Sequence, residues 1–216
     1  MPEGPEIWIL NKAICQYYGT DMSESFGKHI IVQAEYNQSN HTTIWSFGIN
    51  GKIALDENNK LCKLSSDGWM FGNNAIINHS ETIHDKFKMS KINFMTATLD
   101  ELNDYANKLK KSRGKLGPLI TNQNKISGIG VAWGSEILHR AGLRPDESAN
   151  SQDLSNIATV MFEIREEIKC IYESELEQWS LKKFIENWFE NLYEIRNMKI
   201  YGIGEKINVG GRTWWI

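Results

Sequence analysis

Residues 119–145 read LITNQNKISGIGVAWGSEILHRAGLRP. We interpret this segment as a helix, a Gly-Ile-Gly turn at 128–130, a second helix and a stop at Gly142. Glycines in the turn allow the backbone to approach another surface closely. The second helix would begin with N–H groups that lack intrahelical partners, and such groups suit a phosphate. Because a lone Gly-x-Gly turn is often only a tight connection, other segments have to support a functional interpretation.

The N-terminus provides a second informative segment, which reads MPEGPE. If Met1 is removed, Pro2 carries a free secondary amine, and α-amino groups titrate near pH ~8. A useful fraction of this amine is then neutral and nucleophilic, and the Glu3 carboxyl group lies one residue away. An amine beside a proton donor is suited to Schiff-base chemistry on a sugar. The alternative is an ordinary N-terminus, and this is the commoner case for a proline at position 2.

Two further segments are a Gly51-Lys52 pair before an apolar run and the sequence GGRTWW at 210–215. A lysine at a turn usually serves solubility, and an arginine in a turn is often a surface residue. The second segment is predicted to be part of a short β-hairpin within residues 200–216, since glycines alternate there with β-branched and aromatic residues.

Together these segments resemble the formamidopyrimidine-DNA glycosylase/endonuclease VIII family of bifunctional DNA-repair enzymes. The N-terminal hexapeptide matches, and Gly4 is typical of the endonuclease VIII branch. Residues 119–145 resemble the helix–two-turn–helix signature of the family, including Gln123, Gly128, Gly130 and Glu136. GGRTWW resembles the family's zinc-finger hairpin without its cysteines, which is a zincless finger. Trp214, Trp215 and Tyr201 are expected to supply the packing that replaces the metal.

The resemblance implies a set of site residues. Pro2 would be the nucleophile, Glu3 would aid opening of the sugar ring, and Lys52 and Arg212 would hold the phosphates during strand cleavage. Glu6 is a candidate lesion contact. The implied DNA-binding residues are Trp69, Met70, Phe71, Lys115, Asn124, Lys125, Gly128 and Gly130. The Trp69–Phe71 triplet has the bulk to fill the gap left by a flipped base, but a strand or core role is nearly as well supported.

The chain departs from the family in two respects. Val131 stands where the family usually has an asparagine that holds a phosphate, and valine donates no hydrogen bond. The loss of that contact is worth about 1–3 kcal/mol if nothing replaces it. The N-terminal half and the tract between Trp188 and Tyr201 are also shorter than in typical members, which suggests altered lesion selectivity.

The expected fold class is α+β. Apolar periodicity predicts a helix at 6–18, whose apolar stripe is Ile7, Leu10, Ile14 and Tyr17. The helix is followed by short strands that form a β-sandwich, predicted at 30–32, 43–45, 52–55, 61–64 and 75–77 with a hairpin turn at 56–59. From Leu99 onward the pattern is helical, up to the C-terminal hairpin. The first helix of this half has an apolar stripe of Leu99, Leu102, Tyr105 and Leu109. Residues 151–153 are predicted to cap the start of a second helix, and a third is predicted at 181–192. The expected domains are an N-terminal catalytic β-sandwich domain (1–97), a helix–two-turn–helix domain (98–197) and a zincless finger hairpin (198–216).

Composition limits the remaining possibilities. The chain has 216 residues, 41% of them hydrophobic, and a net charge of −3. The negative charge argues mildly against nucleic-acid binding, but Lys108, Lys110, Lys111, Arg113 and Lys115 form a basic run. The alternative for this run is a solvated helix end. The three cysteines are far apart, and no Cys-x-x-Cys or His-Glu-x-x-His is present, so we expect no zinc and no other cofactor. No apolar run approaches ~20 residues, and no signal pattern is present, so we expect an intracellular protein without a membrane partner.

The sequence therefore predicts a monomeric glycosylase with AP lyase activity. It would bind damaged double-stranded DNA, remove oxidised bases, with pyrimidines as the expected class, through a Pro2 Schiff base, and cut the strand by β,δ-elimination. Two alternatives stay open: a non-catalytic family member that binds damaged DNA, and an unrelated protein whose helix–turn–helix segment makes protein contacts.

Overall fold

The computed structural model describes residues 3–18, six strands between 23 and 71, residues 92–180, residue 183 and residues 198–216. In the six strands the backbone and its pairing are described. Several predicted features lie outside these residues: Pro2, the turn at 56–59, the strand at 75–77 and most of the helix at 181–192.

The first helix, α1, spans Gly4–Tyr18 and begins two residues before the predicted start. It begins early because the N–H of Ile7 donates to the carbonyl of Glu3 (3.1 Å). Ile7 and Leu10, which define the predicted apolar stripe, are fully buried. The Trp8 ring meets the Tyr172 ring edge-on at 5.6 Å between centroids, so α1 packs against the end of the last described long helix. Burial raises the pKa of Tyr172 to about 12, and its O–H donates to Gln16 Oε1 (3.3 Å).

The six strands form two three-stranded antiparallel sheets, in the orders β1-β2-β3 and β4-β5-β6. Their bounds are Ser23–Phe26 (β1), His29–Tyr36 (β2), Ser39–Ser46 (β3), Lys52–Leu55 (β4), Leu61–Ser65 (β5) and Gly68–Phe71 (β6). The apolar runs that predicted strands in β2, β3, β4 and β5 are confirmed. β1 was missed because SESF has no apolar alternation. The triplet within β6 adopts the strand that the sequence left as an alternative.

The helical half contains four helices in the described residues, and a shared apolar core lies between them. They are α2 (Leu99–Lys110), α3 (Leu116–Ile120), α4 (Val131–Arg140) and α5 (Ile157–Ile171), with a 3₁₀ turn at Ala149–Ser151 and a π-helical turn at Tyr172–Leu176. Leu102, Tyr105 and Leu109 of α2 are buried as predicted, whereas Leu99 is 39% exposed. A reciprocal cap starts α2: the Glu101 N–H donates to Thr98 Oγ1, and the Thr98 N–H donates to Glu101 Oε2.

The predicted start of α5 at Ser151–Asp153 was wrong, because the helix begins at Ile157 and Asn156 makes no side-chain cap. The side chains of Ser151 and Asp153 make hydrogen bonds within their own turns and do not cap α5. Ser151 Oγ donates to the Ser148 carbonyl (2.8 Å), and Asp153 Oδ1 accepts from the Ser155 N–H (3.0 Å). Short polar side chains often close such turns instead of capping a helix, so the residue types alone did not locate the cap.

The predicted C-terminal hairpin is confirmed as β7 (Lys206–Val209) and β8 (Arg212–Trp215). Gly210 and Gly211 connect the strands with φ of 61° and 75°, which is the conformation of a two-residue type I′ turn. Trp214 is fully buried and joins the core of the helical half. The hairpin is therefore fastened to the helices through its own side chains.

Candidate active site

The helix–two-turn–helix turn is in backbone contact with the start of α1. Gly128 has a φ of +97°, and its carbonyl accepts from the Gly4 N–H at 2.7 Å. A Cβ placed on Gly4 would lie 2.6 Å from Gly128 Cα, which is closer than real Cβ atoms approach. Two glycines therefore allow the N-terminus and the turn to meet without side chains between them.

Gln123 fixes the conformation of this turn from inside. Its Nε2 donates to the Ile129 carbonyl (2.7 Å), and its Oε1 accepts from the Gly128 N–H (3.0 Å). Both backbone groups belong to the turn, so one side chain satisfies a donor and an acceptor that the irregular backbone leaves unpaired. This contact gives a structural reason for the glutamine in the sequence signature.

The Glu3 carboxylate joins α1 to the start of α4. It is 4% exposed and accepts from the N–H groups of Gly130 (2.9 Å), Ala132 (3.0 Å) and Trp133 (3.1 Å). These N–H groups were expected to face a phosphate, and in the structure they face Glu3. Three amide donors at a helix N-terminus favour an ionised carboxylate. A Cβ on Gly130 would lie 2.1 Å from Glu3 Oε1, so only glycine leaves room for this contact.

Glu6 supports the same corner and is 2% exposed. Its Oε2 accepts from the Glu3 N–H (2.7 Å), and its Oε1 accepts from Trp133 Nε1 (2.9 Å). The Glu3 nitrogen is covalently bonded to the carbonyl carbon of Pro2. Glu6 and Trp133 therefore fix the peptide unit that follows the predicted nucleophile, although Pro2 itself lies outside the described residues.

Arg212 is the first residue of β8 and follows the Gly210-Gly211 turn directly. Residues two apart in a strand face the same side, so Arg212 shares its side with the buried Trp214. Arg212 Nη1 donates to Thr121 Oγ1 at 3.3 Å. Thr121 ends α3 and is 5% exposed. The structure thus brings Arg212 to the end of α3, and no sequence motif pointed to Thr121.

Packing and hydrogen bonds hold the hairpin in place. The Trp214 ring lies against Gly117 and Gly134, where added Cβ atoms would approach it to 2.9 and 3.1 Å. The Trp215 N–H donates to Ser135 Oγ (3.2 Å), and the Trp215 and Tyr201 rings lie 4.3 Å apart. These contacts agree with the tryptophan and tyrosine packing expected from the sequence.

Glu136, for which the sequence signature gave no role, fastens the chain before the hairpin. It is fully buried in α4, and its carboxylate accepts from the N–H groups of Lys199 (3.0 Å), Ile200 (2.7 Å) and Tyr201 (2.9 Å). Arg140, one turn later, places its Nε 3.8 Å from Glu136 Oε2. One buried carboxylate therefore orients the segment that leads into β7.

Other predicted DNA contacts lie at the surface of the helical half. Lys115 is exposed at the start of α3, and Asn124 and Lys125 are exposed in the turn before α4. The Asn124 N–H donates to Asn122 Oδ1 (3.0 Å), which orders this turn. Val131 is half-buried at the first position of α4.

Two predicted elements of the site share one row of a sheet. Lys52 of β4 pairs with Leu64 of β5, and Leu64 pairs on its other side with Trp69 of β6. Since neighbouring strands are about 4.8 Å apart, the backbones of Lys52 and Trp69 lie roughly 10 Å apart. The predicted phosphate-binding lysine and the first residue of the predicted wedge are therefore at the same level of β4-β5-β6.

In the described part of the chain, no group of three or more His, Cys, Asp or Glu is arranged to hold a metal ion. None of the described helices has the length and apolar character needed to cross a membrane.

No protein-family model matches the chain. Among curated proteins, it is 42% identical over 50 residues to a formamidopyrimidine-DNA glycosylase of Heliobacterium modesticaldum, covering 23% of this chain and 18% of that protein. It is 28% identical over 115 residues to a protein of the same name in Arabidopsis thaliana, covering 52% of this chain and 29% of that one. The chain therefore matches less than a third of the length of these relatives.

Solved structures match over almost the whole chain. The Fpg (MutM) protein of Lactococcus lactis, in complex with DNA that contains an oxidised pyrimidine, gives a TM-score of 0.66 at 16% identity and covers 99% of this chain and 97% of that chain. MutM (Fpg) of Thermus thermophilus gives a TM-score of 0.66 at 15% identity, with coverage of 99% and 96%. At such identities the likeness establishes the fold, and the predicted α+β class is confirmed. The resemblance drawn from the sequence motifs is confirmed as well, by shared fold and shared stretches of sequence. The endonuclease VIII branch, the zincless finger and the domain boundaries stay predictions.

Proposed function

We infer that this chain, a member of the formamidopyrimidine-DNA glycosylase/endonuclease VIII family by fold and by shared sequence, is a DNA glycosylase of base excision repair with AP lyase activity. The observation that carries the proposal is the set of three hydrogen bonds that the Glu3 carboxylate accepts from N–H groups at the end of the helix–two-turn–helix turn and the start of α4. It fixes the residue next to Pro2 against the element that the family uses to bind DNA. This arrangement supports an N-terminal amine that acts on bound DNA.

The proposed reaction starts with attack of the Pro2 amine on C1′ of the damaged nucleotide. The N–C1′ bond forms as the bond from C1′ to the base breaks, and the proton lost from the amine nitrogen passes to the departing base. The C1′–O4′ bond then breaks, O4′ gains a proton, and an iminium joins the protein to the sugar. The iminium acidifies the C2′–H bond, so the C3′–O bond breaks by β-elimination and the C5′–O bond follows by δ-elimination. Lys52 and Arg212 would hold the two phosphates, for which the planar fork of arginine is well suited.

Glu3 has a narrower part in this scheme than the sequence suggested. Three N–H donors favour its ionised form, and a fixed carboxylate next to Pro2 favours the positive charge of the iminium. We therefore propose that Glu3 aids ring opening through its charge and its position. Glu6, which holds the Glu3 N–H, would act through Glu3.

The substrate is proposed to be duplex DNA with an oxidised pyrimidine. Two observations support this choice: Gly4 is typical of the endonuclease VIII branch, and the similar Lactococcus lactis structure holds an oxidised pyrimidine. The exposed Lys115, Asn124 and Lys125 would contact the phosphate backbone, and the Trp69–Phe71 triplet would fill the gap in the base stack. The protein would act as a monomer inside the cell, wherever its DNA is, without a metal or cofactor.

Borohydride trapping tests the proposal. The protein is incubated with duplexes that contain an abasic site or an oxidised pyrimidine, and the reduced adduct is digested and mapped by mass spectrometry. We expect the added mass on the N-terminal peptide and its loss in Pro2→Gly, whereas Lys183→Ala, a change at an exposed lysine outside the basic run, keeps full trapping. No adduct in the unmodified protein, or an adduct on a lysine, would rule out the Pro2 mechanism.

A second candidate is a family member that binds damaged DNA without chemistry, and Val131 is the observation that favours it. Loss of a phosphate contact beside the lesion weakens the hold on the reacting nucleotide. Salt-sensitive binding to abasic duplexes together with an absence of trapping would select this candidate. An absence of any salt-sensitive DNA binding would point instead to a protein-contact role.

A further inference from the structure

Thr121 has a hydroxyl group in a fixed orientation facing Arg212. Its Oγ1 donates to the Gly117 carbonyl one turn earlier in α3 (3.2 Å). With the hydroxyl proton used in this way, the oxygen lone pairs are left to accept from Arg212 Nη1 at 3.3 Å. Thr121 is buried, so its side chain does not reorient freely.

The backbone around Arg212 is also fixed. The two-residue turn at 210–211 sets the register in which Arg212 pairs with Val209. A Cβ on Gly210 would lie 2.9 Å from Pro118 Cγ, so the turn rests on α3. Trp214 is the next residue on the same side of β8, and its ring packs against Gly117. Arg212 is exposed, and its guanidinium makes one hydrogen bond to the described residues, the bond to Thr121.

We propose that Thr121 is a positioning residue for Arg212: its hydroxyl holds one terminal nitrogen of the guanidinium, which keeps the other donors aimed at a DNA phosphate. An arginine side chain loses rotamer freedom when it binds, and a side chain already held loses less. The effect matters more in this chain than in a typical family member, because Val131 contributes no hydrogen bond to the phosphate. The proposal rests on the proposed function, in which Arg212 grips the phosphate of the damaged nucleotide.

The matched variants are Thr121→Val and Thr121→Ser. Valine keeps the methyl group that packs at Gly134 and removes the hydroxyl, whereas serine keeps the hydroxyl. The dissociation constant is measured with a duplex that contains one tetrahydrofuran abasic analogue, and the cleavage rate is measured under single turnover on a natural abasic duplex. Thr121→Val should weaken binding by about three- to tenfold, the expected loss for one immobilised side chain. Thr121→Ser should remain within about twofold of the unmodified protein.

Arg212→Ala separates positioning from a general structural effect. If Thr121 acts through Arg212, Thr121→Val causes no further loss of binding in the Arg212→Ala background. An equal loss in both backgrounds would overturn the proposal, and so would unchanged binding by Thr121→Val. If Thr121→Val fails to fold, Thr121→Ala is compared with Thr121→Ser in the same cycle.

The outcome also distinguishes this proposal from the proposed function. If Arg212→Ala weakens binding and Thr121→Val does not, only the role of Thr121 is wrong. If Arg212→Ala binds the abasic duplex as tightly as the unmodified protein, the roles of Thr121 and Arg212 are both wrong, and borohydride trapping decides the glycosylase function separately. If the unmodified protein does not bind the abasic duplex, both proposals fail.

Discussion

At the scale of single residues, glycines decide where the N-terminus lies. Gly4 and Gly128 bring two backbones together, and Gly130 makes room for the Glu3 carboxylate. A side chain at any of these positions would separate α1 from the turn before α4. The close approach of α1 to the turn before α4 therefore depends on three glycines, which carry no side chain.

Gly4→Ala should lower the free energy of unfolding by about 1–3 kcal/mol, because its Cβ overlaps backbone atoms that cannot rotate away. Chemical denaturation monitored by tryptophan fluorescence measures the change. Gly114→Ala is the matched control, since a Cβ there meets the Leu119 side chain at 3.4 Å, an ordinary contact. Equal stabilities of the two variants would show that the Gly4–Gly128 contact is not tight in solution.

Val131→Asn tests the departure from the family at the start of α4. The amide restores a hydrogen-bond donor beside the proposed phosphate, so the dissociation constant for an abasic duplex should fall by about tenfold, with a net gain of ~1–1.5 kcal/mol. Val131→Ala, which adds no donor, should not tighten binding. Weaker binding by the asparagine variant would mean that the phosphate does not lie at this position.

At the scale of elements, the hairpin shows how a turn sets the direction of a functional side chain. Gly210 and Gly211 both adopt positive φ, and the strand that follows begins with Arg212. The turn conformation thus fixes which side of β8 carries the arginine. The sequence predicted this element well, because a glycine pair between two runs of β-branched and aromatic residues is typical of a hairpin turn.

Gly211→Val and Gly211→Asn form a pair that isolates the turn conformation. A Cβ on Gly211 meets nothing within 4 Å, so space is not the issue. Valine resists the φ of +75° and should destabilise the protein by about 1–2 kcal/mol, whereas asparagine tolerates this region and should cost less than half as much. Thermal unfolding compares the two. A similar loss in both would indicate that the turn changes type in solution.

At the scale of the whole molecule, four parts of the chain meet: α1, the turn before α4, the end of α3 and the hairpin. Buried carboxylates make two of these connections, Glu3 to the start of α4 and Glu136 to residues 199–201. Trp214 makes a third connection through packing. These contacts to the helices are the ones that the predicted zincless finger would use in place of a metal.

A chelator tests that replacement. Because packing and hydrogen bonds hold the hairpin, incubation with EDTA should leave both the melting temperature and borohydride trapping unchanged. The positive control is a zinc-finger protein that unfolds under the same treatment. A fall in melting temperature that added zinc reverses would reveal a structural metal in this protein.

The sequence predicted most of the architecture because periodicity and turn glycines act locally. The presence of α1, four strands and the hairpin follows from such signals. The contacts of Glu3 and Glu136 could not be predicted, since each joins residues more than 60 positions apart. Thr121 carries no signal at all, because a threonine at a helix end is common. Local sequence signals therefore predicted the helices and strands, whereas the side-chain contacts between distant residues are seen only in the structure.

The burial of Trp214 has a consequence for how the protein opens. Its ring is fully covered and lies against glycines of α3 and α4, so lifting the hairpin away would leave a void as large as an indole inside the helical half. Such a void costs about as much as a typical large core truncation, ~3–5 kcal/mol. Hairpin detachment and helix unfolding should therefore occur in one cooperative step. Amide protons of 206–215 would exchange with deuterium at the same free energy as those of α4, so the finger would behave as an integral part of the core.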